Sequence, residues 1–152
     1  MAAVSGDKKL LAVMTAVPVA TLHKLDPAIK DALEPTRQQT KTNAMRVRRP
    51  GPRIGGHLDQ GVVTKKISTG GISGVREFWV SLQRRARKIG HLVEFGTAPH
   101  YQPRRKRMHP GARAKPFMTP AFEATKTEAA RRIATSTWQI ISSAVRGLGG
   151  GR

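Results

Sequence analysis

The sequence predicts an α+β fold in a single domain of 152 residues. One central segment alternates apolar and polar residues, as strands do, and another is a plausible strand, while the C-terminal part places apolar residues at helical spacing. Glycine, proline and basic residues dominate the stretches between these elements. We therefore expect an N-terminal helical region over residues 1–49, a β-hairpin with extended basic loops over 50–115, and a long helix over 116–147 that packs on the antiparallel sheet.

The N-terminal region contains the signals for two helices. Asp7 can cap a short helix over residues 8–17. Asp26 followed by Pro27 is a favourable start for a second helix, because proline at the first helical position lacks only an N–H that would have no partner anyway. Pro35 is expected to kink that second helix. The longest apolar run, residues 10–20, is shorter than the ~20 residues needed to cross a bilayer, so we expect neither a membrane span nor a signal peptide.

Two strands are predicted in the central segment. Val62–Ile67 is the first, and Val75–Leu82 is the second, with Trp79 pointing to the opposite face from its apolar neighbours. Together they predict an antiparallel hairpin with a long tip. The apolar face of the second strand would carry Phe78, Val80 and Leu82.

A short helix or turn is predicted to lead into Gly96, followed by a polar loop over Ala98–Lys115 that holds six basic residues and no acid. The long C-terminal helix then begins near Pro116 and Pro120. We expect its apolar face to be buried, so that Phe122→Ala would cost about 3–5 kcal/mol of stability. That face would carry Met118, Phe122, Ala129, Ile133, Ile141, Ala144 and Leu148.

Positive charge is the strongest compositional feature. The chain has 28 Lys and Arg against 9 Asp and Glu, for a net charge of +19, which predicts contact with polyanions or with an acidic protein surface. Cysteine is absent, which excludes disulfides and thiolate metal sites. The basic residues form three clusters: Arg46, Arg48 and Arg49; Arg84, Arg85, Arg87 and Lys88; and Arg104, Arg105, Lys106 and Arg107, with Arg113 nearby.

Catalytic and metal sites have little support in the sequence. Glu94 is the only carboxylate between Glu77 and Glu123, and acid–base chemistry usually needs two positioned groups. A pair with His91 is conceivable, but the simpler interpretation is a helix-end carboxylate that pairs with an arginine. His91, His100 and His109 recur every nine residues without the spacing of zinc ligands on a helix. We expect no enzyme activity, no metal and no cofactor.

A sequence-specific nucleic-acid reader is also not indicated. The basic clusters would attract phosphate, but Tyr101 is the only aromatic residue among them that could stack on a base. Loose contact with a DNA backbone stays open as an alternative.

Three motifs carry a resemblance to a known family: "HLVEFGT", "HPG" and "PFMTPAFE", in this order. This part of the chain resembles the minor tail or tail-completion (head–tail joining) proteins of long-tailed bacteriophages, typified by the gene-ten product of a lambda-like phage. The resemblance is specific over residues 90–133 and weaker upstream. The matching positions include Leu92, Val93, Glu94, Phe95, Gly96, Thr97, His109, Pro110, Gly111, Pro116, Phe117, Pro120, Phe122 and Glu123.

The resemblance implies a structural virion protein, made in the bacterial cytoplasm, that assembles as a six-fold ring at the neck around the DNA channel. Its partners would be copies of itself, the tail tube and the head connector or stopper. In this interpretation Leu92, Val93 and Phe95 fill the core, Gly96 reverses the chain, and the basic loop with Arg104 to Arg107 reaches outward. The runner-up is a basic nucleic-acid-binding accessory protein that acts alone.

Overall fold

The computed structural model describes residues 23–47, 58–67 and 77–149, and these form an α+β fold, as predicted. In chain order the elements are α1 (Leu25–Ala32), α2 (Glu34–Val47), β1 (Val62–Ile67), β2 (Glu77–Leu82), α3 (Arg84–Phe95), β3 (His100–Gln102), β4 (Arg107–His109) and α4 (Met118–Gly149). Short 3₁₀ turns, Asp59–Gly61 and Pro103–Arg105, precede β1 and connect β3 to β4. The predicted helix over residues 8–17 and the cationic residues Arg48 and Arg49 lie outside the described residues.

The helix start predicted at Asp26–Pro27 is confirmed, since both residues lie in the first turn of α1. The helix is interrupted at Leu33, two residues before Pro35, and resumes as α2. Proline has no N–H to donate to the carbonyl four residues earlier, and its ring crowds that turn. The predicted kink therefore appears as a boundary between two consecutive helices.

The first sheet consists of β1 and β2, which pair antiparallel from Val62 opposite Leu82 to Ile67 opposite Glu77. Both ends of β1 agree with the predicted strand. Within β2, Leu82 is buried and Val80 packs against the core, while Trp79 on the other face is exposed. The predicted alternation of this strand is confirmed.

The core forms where α2, the β1–β2 sheet, α3 and the start of α4 meet. Phe117, fully buried immediately before α4, is its largest side chain among the described residues. Partly buried apolar side chains pack against the core from its periphery: Val47, Val80, Ile89, Val93 and Met118. The buried cluster itself comprises Ala44, Leu58, Val62, Leu82, Ala86 and Phe117.

The long helix α4 does not lie on the sheet, which corrects the predicted packing. Its long-range contacts are chiefly with α1 and α2, and only its first residues reach the core beside the sheet. The contact face of α1 and α2 is a stripe of small side chains four residues apart, all buried: Ala32, Thr36, Thr40 and Ala44. Rows of residues at this spacing allow two helices to approach closely.

On α4 the facing stripe is also small, with Ala121 and Ala129 buried and Thr125 between them. The Thr125 hydroxyl lies 2.8 Å from the Thr36 hydroxyl and links the two helices. Phe122 therefore lies beside the contact face and is 55% exposed. Its predicted burial is wrong, because the helices meet through small residues and the bulky Phe122 side chain is displaced to the edge.

Candidate interaction surface

The three motifs of the resemblance fold into one connected unit. Helix α3 ends at Gly96, and the chain returns so that Thr97 and Ala112 exchange backbone hydrogen bonds of 2.8 and 3.0 Å. Gly96 has φ 74° and ψ −173°, a conformation that is essentially restricted to glycine. A Cβ at Gly96 would lie 2.5 Å from the Ala112 carbonyl oxygen. Gly111, with φ 84°, faces the Thr97 carbonyl oxygen in the same way, so two glycines allow the crossing.

Glu94 caps the long helix, although it belongs to α3. Its Oε2 accepts the N–H groups of Phe117 at 2.8 Å and Met118 at 3.0 Å. Its Oε1 accepts the N–H of Thr119 at 2.9 Å and the Thr119 hydroxyl at 2.7 Å. The N–H groups at the start of a helix have no partners within it, and the helix dipole favours a negative charge there. The predicted pairing of Glu94 with an arginine is wrong, because the start of α4 provides a stronger set of donors.

This environment also determines the protonation of Glu94. Burial, which leaves the residue 6% exposed, opposes ionisation and on its own would raise the pKa of the carboxyl. The hydrogen bonds from Met118, Phe117 and Thr119 favour the charged form and outweigh burial, so the pKa of Glu94 is lowered from its ordinary value. The carboxylate is thus ionised and fully engaged as a structural cap. His91, which could have formed a catalytic pair with it, is exposed to solvent.

The family positions in α3 split between the inside and the outside of the protein. Val93 packs against the core, as predicted. Leu92 and Phe95 are 40% and 77% exposed, so their predicted core role is wrong. The reason is helical geometry: Ala86, Ile89, Gly90, Val93 and Glu94 occupy the inner face of α3, and Leu92 and Phe95 fall on the outer face. That outer face also exposes Arg85, Arg87, Lys88 and His91.

The basic segment after α3 is a small hairpin, which corrects the predicted extended arm. β3 and β4 pair antiparallel, with His100 opposite His109, Tyr101 opposite Met108 and Gln102 opposite Arg107. The connecting 3₁₀ turn closes at Lys106, a left-handed residue with φ 47°. Four exposed cationic residues occupy this tip: Arg104, Arg105, Lys106 and Arg107.

The two faces of the hairpin differ in chemistry. Tyr101 and Met108 are directly opposite on one face, and both are exposed. On the other face the rings of His100 and His109 stack with their centroids 5.1 Å apart. The Gly111 N–H donates to His109 Nδ1 at 3.0 Å. Two of the three regularly spaced histidines are therefore brought together, but within the described ranges no three His, Asp or Glu side chains are grouped as a metal site.

Charge is distributed unevenly between this surface and the helices. Residues 85–115 contain nine basic residues, six of them arginine, and Glu94 is their only acid. None of the nine forms an ion pair with a carboxylate in the described part of the chain. The carboxylates of Glu34, Glu123 and Glu128, by contrast, pair within their own helices, with Arg37, with Lys126, and with Arg131 and Arg132 respectively. We refer to the outer face of α3 together with the β3–β4 hairpin as the basic surface.

The other predicted site residues lie apart from the basic surface or at its boundary. Arg46 is exposed in the last turn of α2. Arg113, Pro110 and Pro116 are exposed on the irregular segment that leads from the hairpin to α4, and Pro120 lies in the first turn of α4.

An apolar groove between α1–α2 and α4 was not predicted from the sequence. It has a volume of about 610 Å³, and its lining includes Leu33, Phe122, Ala129 and Ile133. The displaced Phe122 forms part of this groove. Across the described ranges, no helix combines the length and apolarity required to cross a membrane.

In comparisons with known proteins, no family model, no curated protein and no solved structure matches this chain.

Proposed function

We propose that this chain is a structural subunit of a tailed-bacteriophage virion, a tail-completion, tail-terminator or head–tail joining protein. In this role it forms a ring, six-fold by the resemblance, at the neck around the DNA channel. Its neighbours are other copies of the chain, the tail tube and the connector or stopper. The role requires no catalytic residue and no cofactor.

The observation that carries the proposal is the interlocking of the three motifs. Glu94 of "HLVEFGT" caps the helix that "PFMTPAFE" begins, and Thr97 pairs with Ala112 just after "HPG". Segments that are separate in sequence thus form one structural unit. The motifs depend on one another, because residues of one motif form hydrogen bonds with residues in or next to another. This interdependence is what supports the resemblance over residues 90–133.

The charge distribution supports a role in an assembly. A net charge of +19 on every copy would make a ring repel itself unless neighbouring proteins or DNA neutralise it. The basic surface has a surplus of charge that the described carboxylates leave uncompensated. A ring at the neck would contact both acidic protein surfaces and packaged DNA, and either could neutralise the positive charge of the basic surface.

The proposal is tested on particles of the phage that encodes the chain. Purified virions are analysed by quantitative mass spectrometry, and the chain is located on them with gold-labelled antibodies. We expect a fixed ratio to the connector protein and labelling at the neck. Deletion of the gene should yield separated heads and tails, and supplying the chain from a plasmid should restore joining.

The same experiment addresses the alternative, a basic nucleic-acid-binding accessory protein. The observation in favour of this alternative is the exposed run of cationic residues from Arg104 to Arg107, which would attract phosphate. Such a protein would be absent from virions, would copurify with nucleic acid from infected cells, and would be released by high salt. That combination of results would contradict the neck role.

A further inference from the structure

The basic surface carries exposed apolar side chains among its charges. On the outer face of α3, Leu92 and Phe95 lie within the same exposed stripe as Arg85 and Lys88. One stretch of chain further on, Tyr101 and Met108 are exposed on one face of the hairpin, next to the cationic tip. Water-exposed apolar residues interspersed with arginine are typical of a surface that a partner covers.

The kinds of residue present indicate which partner fits. Protein–protein interfaces are enriched in Tyr, Phe, Met and Arg and depleted in Lys and Glu. Six of the nine basic residues in 85–115 are arginine, which can bind a carboxylate through two parallel hydrogen bonds. A DNA backbone would satisfy the charges but provides nothing for Leu92, Phe95 and Met108 to pack against. Binding of single-stranded nucleic acid depends on aromatic stacking, which Phe95 and Tyr101 can supply but Leu92 and Met108 cannot.

We infer that the basic surface docks on a protein partner whose surface has carboxylates around an apolar patch. The inference rests on the proposed neck role only for the identity of that partner, which would be an adjacent ring of the same particle. The apolar side chains supply the contact area that is removed from water, and the arginines supply orientation and selectivity. Nucleic acid is the competing occupant, and the test is designed to detect it.

The test measures binding of the purified full chain to three probes by fluorescence anisotropy at near-physiological salt. The first probe is a synthetic peptide that combines Glu with Phe and Leu. The second has the same Glu residues with Ser in place of every Phe and Leu, and the third is duplex DNA. We expect the wild-type chain to bind the Glu–Phe–Leu peptide at least about tenfold more tightly than the Glu–Ser peptide.

Two pairs of substitutions separate the apolar from the charged contribution. Leu92→Ser with Phe95→Ser, and Tyr101→Ser with Met108→Ser, should each weaken binding of the Glu–Phe–Leu peptide by about tenfold while leaving DNA binding within about twofold. The matched control is Trp138→Ser, because Trp138 is an equally exposed apolar residue on α4, at 71% exposure, outside the basic surface. The control should change neither affinity.

A second control matches the loss of charge. Replacing Arg104, Arg105, Lys106 and Arg107 by Gln should weaken binding of both peptides more than a variant that loses four exposed cations elsewhere, Lys24, Lys30, Arg46 and Arg146. If the wild-type chain prefers DNA, the surface binds phosphate and the inference is wrong. If both Ser pairs leave peptide binding unchanged, the apolar side chains do not contribute and the inference is also wrong. Absence from virions would overturn the neck role without changing these affinities, so the two failures are distinguishable.

Discussion

Glu94 in α3 accepts the backbone N–H of Phe117 at 2.8 Å, and this contact joins the middle of the chain to the start of its longest helix. Phe117 is at the same time the largest fully buried apolar side chain of the described core. The backbone of Phe117 is thus held by the Glu94 cap, and its side chain is held by the apolar core. Because the basic hairpin lies between these two positions in the chain, its base is held from both sides.

Loss of the Glu94 charge should destabilise the protein. Glu94→Gln keeps one acceptor oxygen but removes the negative charge and leaves a helix N–H without its partner, so we expect a loss of about 1–3 kcal/mol in the free energy of unfolding at neutral pH. Urea denaturation provides the measurement. Glu123→Gln is the control, because Glu123 is exposed and forms an ion pair with Lys126 within its own helix. A loss no larger than that of the control would show that the cap contributes nothing.

The lowered pKa of Glu94 predicts how the free energy of unfolding decreases at acid pH. The folded state lowers the pKa of Glu94 below its ordinary value of 4.5. Its contribution is therefore complete above about pH 4.5 and is lost as the pH falls through the lowered pKa of the folded state. The difference in the free energy of unfolding between wild type and Glu94→Gln should therefore become smaller as the pH falls below about 4.5. A difference independent of pH would contradict this assignment.

The two phenylalanines of the "PFMTPAFE" motif should behave differently. Phe117→Ala creates a cavity in the core and is expected to cost about 3–5 kcal/mol. Phe122→Ala, at an edge position that is more than half exposed, should cost less than about 1 kcal/mol. Thermal and chemical denaturation of the two variants provide the comparison. Equal losses would mean that α4 is docked through a different face.

A side chain at Gly96 should not be tolerated. Gly96→Ala would bring Cβ within 2.5 Å of the Ala112 carbonyl oxygen in a backbone conformation that alanine avoids, so we expect a loss of at least about 2 kcal/mol. Gly147→Ala is the control within α4, where a Cβ meets open space, and it should stabilise the protein by up to about 1 kcal/mol. Calorimetric melting temperatures that shift in opposite directions would agree with this prediction.

Neutralising the hairpin tip should separate assembly from folding. The variant in which Arg104, Arg105, Lys106 and Arg107 are all replaced by Gln should melt as the wild type does, because these exposed side chains have no ion pair with a described carboxylate. In phage, filled heads and finished tails should accumulate unjoined. Normal yields of joined, infectious particles from this variant would mean that the tip is only a solvated charge run.

Self-association of the free chain should be weak. With +19 on each copy, we expect a monomer or a heterogeneous population at low salt, and ordered rings only with the neighbouring neck proteins. Light scattering coupled to size-exclusion chromatography measures this directly. A stable closed ring of the isolated chain at low salt would contradict the charge argument.

Local signals in the sequence determined most of the secondary structure. The alternation in β2, the Asp26–Pro27 helix start, the effect of Pro35 and the glycine stop at Gly96 depend on neighbouring residues alone, so they could be predicted from the chain. The hairpin within Ala98–Lys115 was missed because its strands are only three residues long and mostly polar. A segment of that composition has no apolar alternation to reveal it.

Which residues are buried was decided by tertiary packing. Hydrophobicity alone favoured Phe122, Leu92 and Phe95 as core residues, but α4 meets α1 and α2 through alanines and threonines, because small side chains allow the closest approach of helices. The role of Glu94 likewise depends on a helix that begins 24 residues later, so no local pattern could indicate it. The sequence by itself determined the fold class, the longer elements and the excess of positive charge. Only the tertiary structure decided which apolar residues stay exposed among those charges, since exposure is a property of the packed elements.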